Sequence, residues 1–284
     1  MKLSIFTAST PEWTPGQAAQ ILAAQGWDGI EWRITDQEGA PEPGFWAGNR
    51  ATWPLTGLEQ RIPEIARVTR DAGLEFSGIG GYARSYQHDD VERLLAATAA
   101  LGAGRVRVTM PMLDEGPYRE LFARTRADLE WVAGRAADHG VMALVELHHR
   151  TIVASASAAI RLLDGLDPAH VGVIHDVGNL VIEGQEDYAA AFDMLGPYLA
   201  HAHVKNVAWA PTGREPDGVT RWGQDWATMR EGQADIAGYL RALREHGYDG
   251  WVTSEDFSTR VPLEERCADN LAYLRSLLEP AATR

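Results

Sequence analysis

Cysteine is almost absent from this chain of 284 residues, since Cys267 is the only one. A single thiol cannot form an internal disulfide and cannot build a thiolate metal site. Basic residues are also scarce, because 26 lysines and arginines stand against 40 aspartates and glutamates, which gives a formal net charge of −14. Binding to phosphate backbones requires a basic surface, so nucleic acid is excluded as a partner.

Long apolar runs are missing as well, and we expect no targeting signal. No apolar stretch approaches the length that a membrane span needs, and residues 1–10 are too short and too mixed for a signal peptide. We therefore expect no membrane partner and a cytoplasmic location. With 45% apolar and 23% charged residues, the chain can bury a substantial core. Its length fits one large α/β domain, and the sequence shows no linker or internal repeat.

What the chain does contain is a regular alternation of strand-like and helix-like stretches. The strand-like stretches cover residues 2–8, 28–34, 74–80, 105–110, 141–147, 171–176, 199–205 and 250–255. The helix-like stretches, rich in Ala, Leu and Arg, cover about 15–25, 57–72, 88–101, 117–139, 154–164, 185–196, 233–246 and 261–278. Several of them end in a glycine just before the next strand, as helices commonly do.

Eight strand–helix pairs predict a (β/α)8 TIM barrel, formed as a single domain by residues 1–284. A doubly wound sheet is the competing fold, but its glycine-rich phosphate-binding turn is missing after the first strand. Two long segments, 35–56 and 206–232, follow strands and therefore belong at the C-terminal face, where active sites form. They contain Trp46, Trp53, Trp209, Trp222 and Trp226. Such rings serve either to stack on sugars or to pack a loop.

Four of the strand-like stretches carry residue types that bind metal ions. The fifth carries Glu146 as its last residue but one, the sixth ends in Asp176 and the eighth in Glu255, while the seventh carries His201 and His203. If these strands are neighbours in a parallel barrel, their ends meet at one place. Carboxylates together with an imidazole form an oxygen and nitrogen set that suits one divalent cation.

Strand geometry separates the two histidines of the seventh stretch. Because side chains alternate, His201, His203 and Lys205 point to one face, as Glu31 and Arg33 do on the second stretch. His203 lies about 6–7 Å further along the strand than His201, toward the loops, so we expect His203 to be the metal ligand. His201 is then either a residue that orients a ligand or a packed core histidine.

The chain resembles the xylose-isomerase-like TIM-barrel superfamily. The motifs VELHH, HDVGN, HAHVKN and VTSEDF carry the resemblance, which extends over practically the whole chain. Within the superfamily it is similar to the sugar phosphate isomerase/epimerase family, which includes ketose 3-epimerases, hydroxypyruvate isomerases and inosose dehydratases. The resemblance implies one Mn²⁺, Mg²⁺ or Co²⁺ ion held by Glu146, Asp176, His203 and Glu255.

The function that the resemblance implies is metal-dependent isomerisation or epimerisation of a small sugar or keto-sugar. A cation beside the carbonyl lowers the cost of forming an enediolate. Two carboxylates on opposite sides of the sugar can then remove and return the proton, and Glu146 and Glu255 fill both roles, as in the ketose 3-epimerases.

Two departures from the ketose 3-epimerases argue against a free ketose as the substrate. Asn179 stands where those enzymes carry a histidine, and Trp209 stands where they carry an arginine. Both family residues hold the substrate. The predicted substrate-binding residues of this chain are His148, Lys205, Glu31, Arg33, Asn179 and Trp209.

Two alternatives to an isomerase remain open. One is a metal-dependent lyase or dehydratase acting on a keto-inositol or a 3-keto-glycoside, since both reactions begin with the same enolate. The other is a non-catalytic sugar-binding barrel, whose mark would be a missing metal ligand. In each case the partner is a small-molecule carbohydrate, and the sequence is compatible with a homo-oligomer.

Overall fold

The computed structural model describes residues 1–279. The strands in this part of the chain are β1 (Lys2–Phe6), β2 (Gly29–Ile34), β3 (Glu75–Gly81), β4 (Arg105–Arg107), β5 (Met142–Glu146), β6 (Val171–Asp176), β7 (Leu199–Val204), β8 (Asn206–Arg214), β9 (Thr220–Ala227) and β10 (Trp251–Ser254). The α-helices are α1 (Pro15–Gln25), α2 (Leu58–Asp71), α3 (His88–Leu101), α4 (Tyr118–His139), α5 (Ala156–Leu163), α6 (Val177–Glu183), α7 (Tyr188–Leu195), α8 (Ile236–Glu245) and α9 (Leu263–Leu278). Short 3-10 helices cover Thr7–Ser9, Leu113–Glu115 and Gly196–Tyr198.

Eight parallel strands close into a barrel in the order β1, β10, β7, β6, β5, β4, β3 and β2. The predicted TIM barrel is therefore confirmed. The pairing register brings strand ends to a common height, because Asp176 at the end of β6 lies opposite His203 on β7. On the other side of β7, His203 lies opposite Thr253, two residues before Glu255.

Burial explains why these stretches form barrel strands. Every residue of β2 and of β6 is buried, as expected for parallel strands that are covered by helices outside and by packed side chains inside. The helices end where the glycines predicted: Gly26 and Gly140 adopt left-handed backbone conformations, with φ of 93° and 64°. Glycine adopts such conformations at little cost, so at both positions the chain turns sharply into the next strand.

Three elements differ from the sequence-based expectation. The stretch predicted as one helix over 185–196 is preceded by a separate helix, α6, which Asp176 caps by accepting from two backbone N–H groups. β4 ends at Arg107 and not at residue 110, because Thr109 pairs only through an isolated bridge to Arg84. The segment 206–232 forms a β-hairpin from β8 and β9, which pair antiparallel outside the barrel.

Two further expectations concern the chain as a whole. Among residues 1–279, no helix combines the length and the apolar character that crossing a membrane requires. The predicted domain of residues 1–284 includes residues 280–284, which lie outside the described residues.

Candidate active site

A cavity of about 420 Å³ opens at the carboxyl ends of the barrel strands. Its lining includes Glu146 at the end of β5, Lys205 just after β7 and Glu255 just after β10. Active sites of (β/α)8 barrels are built at this end of the fold. The cavity is therefore the candidate active site.

Four buried side chains converge beside this cavity, namely Glu146, Asp176, His203 and Glu255. Each of them offers one ligand atom, and these atoms all lie within 4.8 Å of one another. A backbone hydrogen bond sets the position of Glu255 along the barrel axis, since its N–H donates to the carbonyl of Val204 on β7 at 2.9 Å. The structure thus brings together the four residues that the strand ends predicted, while metal binding by them stays a prediction.

The two ring nitrogens of His203 face different partners. Nε2 donates to Oε2 of Glu31 at 3.1 Å, because an ionised carboxylate can only accept. Nδ1 lies 3.0 Å from Glu255 Oε1, 3.8 Å from Glu146 Oε1 and 3.9 Å from Asp176 Oδ2. Nδ1 is buried, and among the described residues none of these contacts has the alignment of a good hydrogen bond. A ring nitrogen that faces three carboxylates in this way fits a metal ligand.

Glu31 on β2 contacts both histidines of β7. Its Oε2 also accepts from Nε2 of His201 at 3.0 Å, and that nitrogen lies 2.8 Å from Oγ1 of Thr253. Burial would raise the pKa of Glu31, but the charge of His203 and the hydrogen bonds from both imidazoles lower it well below its usual range. Burial lowers the pKa of His201 to about 4, so this imidazole is neutral at neutral pH. Glu31 therefore orients His203, and the Nε2 of His201 contacts Glu31 and Thr253.

Glu146 is fixed by two neighbours. Arg107 on β4 donates from Nη1 to Oε2 at 2.7 Å, and Asn179 on α6 donates from Nδ2 to Oε1 at 3.2 Å. The guanidinium of Arg107 also lies over the rings of Phe6 and Tyr82, with Cζ 5.2 Å and 4.5 Å from their centroids. Burial would raise the pKa of Glu146, but the charge of Arg107 lowers it well below its usual range. The Glu146 carboxylate is therefore ionised at neutral pH.

Asp176 and Glu255 share one ammonium group. Lys205 donates from Nζ to Asp176 Oδ2 at 2.5 Å and to Glu255 Oε2 at 2.7 Å. The other oxygen of Asp176 accepts from the backbone N–H groups of Gly178 and Asn179 at 2.9 Å and 3.0 Å. Both carboxylates are thus held in one orientation by groups that the strand ends and the start of α6 supply.

The cluster carries more negative than positive charge. Its buried carboxylates belong to Glu31, Glu146, Asp176 and Glu255, and its permanent cations are Arg107 and Lys205. Burial raises the pKa of Asp176 to about 7, with Glu255 and Glu146 adding to the effect of burial and Lys205 opposing it. Burial lowers the pKa of His203, but Glu255 and Glu31 outweigh it and raise that pKa well above its usual value.

These charges and donor atoms fit one divalent cation. Four carboxylates against two permanent cations leave two excess negative charges, which a divalent ion balances while His203 is neutral. Carboxylate oxygens and an imidazole nitrogen are suitable donors. Neighbouring ligands of an octahedral ion at about 2.1 Å lie about 3 Å apart, close to the 3.0 Å between His203 Nδ1 and Glu255 Oε1.

The predicted substrate-binding residues fall into two groups. His148 and Lys205 line the cavity, and burial lowers the pKa of His148 to about 4. The other four lie outside the lining, namely Glu31, Arg33, Asn179 and Trp209. Arg33 donates to Gln37 and Thr52 of segment 35–56, and Trp209 donates from its indole to the carbonyl of Val181 at 3.0 Å. Substrate binding by all six stays a prediction.

Sequence reasoning missed Arg107, although the pattern around it carries a signal. Arg107 is buried in the run RVRV, where charged and apolar residues alternate. A charged residue in the middle of a barrel strand needs a buried partner of opposite charge, because burying an unpaired charge is very costly. Glu146 on the neighbouring strand is that partner.

Comparisons with known proteins agree with this fold. An inosose dehydratase from Lacticaseibacillus casei is 27% identical over 181 residues, a match that covers 60% of this chain and 60% of that protein. The chain thus matches less than two thirds of the length of that curated relative. Among solved structures, a 3-keto-D-glucoside 4-epimerase from E. coli superposes with a TM-score of 0.72 at 18% identity, covering 97% of this chain and 99% of that chain.

A second solved structure is a xylose isomerase-like TIM barrel protein from Mycobacterium smegmatis in complex with magnesium. It superposes with a TM-score of 0.71 at 19% identity, covering 98% of this chain and 96% of that chain. The family model described as xylose isomerase-like TIM barrel matches residues 19–277. The chain therefore belongs to the xylose isomerase-like TIM barrel family.

Proposed function

We propose that this chain is a divalent-metal-dependent sugar isomerase or epimerase that acts on a small keto-sugar. The observation that carries the proposal is the pair of buried carboxylates, Glu146 and Glu255, which both line the cavity. Each is held by a cation of the protein, Glu146 by Arg107 and Glu255 by Lys205. Two fixed and ionised carboxylates beside one cavity are the groups that removal and return of a proton require.

A divalent cation held by Glu146, Asp176, His203 and Glu255 would polarise the carbonyl of the sugar and so acidify the neighbouring C–H bond. Mn²⁺, Mg²⁺ and Co²⁺ all accept this donor set. Glu31 keeps Nδ1 of His203 turned toward the carboxylates, and Arg107 with Asn179 keeps Glu146 in place.

The proton transfer itself falls to Glu146 and Glu255. One carboxylate takes the proton from the carbon next to the carbonyl and passes it to solvent water, and the other takes up a proton from water and returns it to the opposite face, so the configuration at that carbon inverts. Burial favours the protonated form of Glu255, but the charge of Lys205 lowers its pKa, so it begins ionised. The ammonium group of Lys205 has three N–H donors. Two of them donate to Asp176 and Glu255, which leaves the third for a sugar oxygen.

The second candidate is a dehydratase, which the similarity to inosose dehydratases favours. The same carboxylate would remove the proton next to the carbonyl, and a hydroxyl group on the adjoining carbon would leave as water after protonation. The two reactions differ in their products, since an epimerase gives an isomer of equal mass and a dehydratase gives a product lighter by one water.

The test is solvent deuterium incorporation. Metal-stripped protein is reloaded with Mn²⁺ in D₂O and incubated with ketohexoses, inososes and 3-keto-glucosides, and mass and NMR spectra are recorded at low conversion. The proposal predicts deuterium at the carbon next to the carbonyl. Glu146→Gln and Glu255→Gln should each lower the rate by at least about 10²–10⁴-fold, the usual contribution of a general base. Glu231→Gln, an exposed carboxylate paired with Arg260, is the matched control.

Metal content must be measured in each variant, because both glutamates also belong to the metal-binding cluster. Loss of exchange while Mn²⁺ is still bound supports the proton-transfer pair. Turnover without deuterium incorporation would contradict the two-carboxylate scheme and indicate either hydride transfer or a single base shielded from solvent. Binding of sugars with neither exchange nor turnover would identify a non-catalytic sugar-binding barrel.

A further inference from the structure

One side of the cavity is a continuous surface of aromatic rings, formed by Trp46, Phe257 and Trp226 and called here the aromatic wall. The centroid of Phe257 lies 4.9 Å from that of Trp46 and 5.2 Å from that of Trp226. The wall starts close to the charged cluster, since Lys205 Nζ lies 5.9 Å from the ring centroids of both Trp226 and Phe257.

The wall runs from the buried cluster to the surface. Phe257 is buried, whereas Trp46 is 52% exposed. A large apolar ring at the mouth of a cavity leaves apolar surface in contact with water, which folding alone does not favour. Because this exposed ring lines the cavity, a ligand bound there would cover part of it.

Buried polar groups hold the segment that carries Trp46. Arg33 donates from Nη2 to the carbonyl of Trp46 at 3.3 Å, and it anchors Gln37 and Thr52 of the same segment. Asn49 donates to the carbonyl of Ala8 at 3.0 Å, next to the end of β1. Trp46 is therefore placed at the mouth by a built network, and its position is part of the cavity.

The cavity has more room than a single keto-sugar uses. Its volume of about 420 Å³ lies in the range of pockets that bury drug-sized ligands, and one monosaccharide is much smaller than those ligands. With the carbonyl of a keto-sugar at Glu146, Glu255 and Lys205, the next part of the substrate would lie along the aromatic wall. Aromatic faces attract flat apolar surfaces, such as the C–H face of a pyranose or an aryl ring.

We propose that the aromatic wall is a binding subsite for a second ring attached to the keto-sugar, so that the substrate class is a keto-glycoside and not a free monosaccharide. The proposal rests on the function proposed above and adds the part of the substrate that does not react. The second ring is either a glycosyl or an aryl group, because both present a flat face to Trp46 and Phe257.

The experiment compares deuterium exchange into matched probes by the Mn²⁺-loaded protein in D₂O. Two probes lack a second ring, namely scyllo-inosose and methyl 3-keto-β-D-glucoside. Two carry one, namely phenyl 3-keto-β-D-glucoside and cellobiose oxidised at C3 of its non-reducing ring. We expect kcat/KM for exchange to be at least about tenfold higher for one or both probes with a second ring, since one well-stacked ring adds about this factor. A preference for phenyl indicates an aryl group, and a preference for the disaccharide indicates a glycosyl group.

Two results would count against the inference, and they can be told apart. Equal or higher kcat/KM for the probes without a second ring overturns the subsite and leaves the proposed proton transfer intact. Exchange into neither these four probes nor the ketohexoses contradicts the proposed function, and the inference falls with it.

Substitutions at the wall give a second readout. Trp46→Ala should lower the ratio of kcat/KM between the best two-ring probe and the methyl glycoside by about tenfold, whereas Trp46→Phe, which keeps a ring, should retain most of the ratio. The matched control is Trp222→Ala, because Trp222 on β9 is 59% exposed and lies outside the cavity lining. An unchanged ratio in Trp46→Ala would overturn the assignment of this ring.

Discussion

Replacing Glu31 by glutamine removes one negative charge from the cluster while the shape of the side chain is kept. Glu31 Oε2 lies 3.1 Å from His203 Nε2 and 3.0 Å from His201 Nε2, and the carboxyl group is buried. An amide oxygen still accepts one of these hydrogen bonds, but more weakly than a carboxylate does. The imidazole of His203 would lose part of its basicity and of its fixed orientation, although Glu31 itself is not among the four predicted ligands.

The size of the expected change in metal affinity follows from the hydrogen bond between Glu31 and His203. Groups that hold a metal-binding histidine typically change metal affinity by 10–100-fold when they are replaced, which corresponds to about 1.4–2.7 kcal/mol. Glu31→Gln should therefore raise the Kd for Mn²⁺ by about 10–100-fold. The loss of one of the cluster's excess negative charges acts in the same direction.

Isothermal titration of metal-stripped protein with Mn²⁺ measures this change. Glu75→Gln is the matched control, since Glu75 lies on the neighbouring strand β3 and forms only an exposed ion pair with Lys2. The control should leave the Kd unchanged. An unchanged Kd in Glu31→Gln itself would refute the reasoning that Glu31 orients a metal-binding histidine, and would leave contact with substrate as its predicted role.

Two further predictions concern charge in the same cluster. Arg107→Met removes the partner 2.7 Å from Glu146 Oε2, so burial should raise the pKa of Glu146. The variant should therefore have a kcat/KM about 100-fold lower and an acidic limb of the pH profile at higher pH, with partial rescue by Arg107→Lys. An unshifted pH profile would contradict this. Burial raises the pKa of Asp176 to about 7, so Mn²⁺ must displace its proton at pH 6 but not at pH 8. Titrations with Mn²⁺ in buffers of different ionisation enthalpy should therefore show about one proton less released per Mn²⁺ at pH 8 than at pH 6, together with tighter binding at pH 8. Equal proton release at both pH values would rule out a raised Asp176 pKa.

The barrel could be predicted because its strands are buried on both faces. Such strands read as short, β-rich runs bounded by glycine or polar residues, so β5 was expected at 141–147 and lies at Met142–Glu146. The hairpin of β8 and β9 was harder, since its strands are largely exposed and carry no apolar alternation. The sequence does carry a signal in Asp217-Gly218, a dipeptide typical of hairpin turns. In the structure this turn is closed by a hydrogen bond from Glu215 N to the carbonyl of Val219 at 2.8 Å.

The site was predictable where function lies at strand ends and unpredictable where it depends on contacts between distant elements. Parallel strands bring Glu146, Asp176, His203 and Glu255 together once the strand order is known. The contact between Glu31 and the β7 histidines spans 170 residues of sequence or more, so spacing cannot reveal it. The same holds for Trp46, which lines the cavity because Arg33 and Asn49 hold its segment over the barrel mouth.

The central claim is that one divalent cation is bound by Glu146, Asp176, His203 and Glu255, with His203 using Nδ1. A crystal soaked in Mn²⁺ and measured near the manganese absorption edge tests it directly. The account predicts a single anomalous peak about 2.0–2.3 Å from one oxygen of each carboxylate and from Nδ1 of His203. An anomalous peak bound by His201 and not by His203, or no peak among these four residues at saturating Mn²⁺, would contradict it.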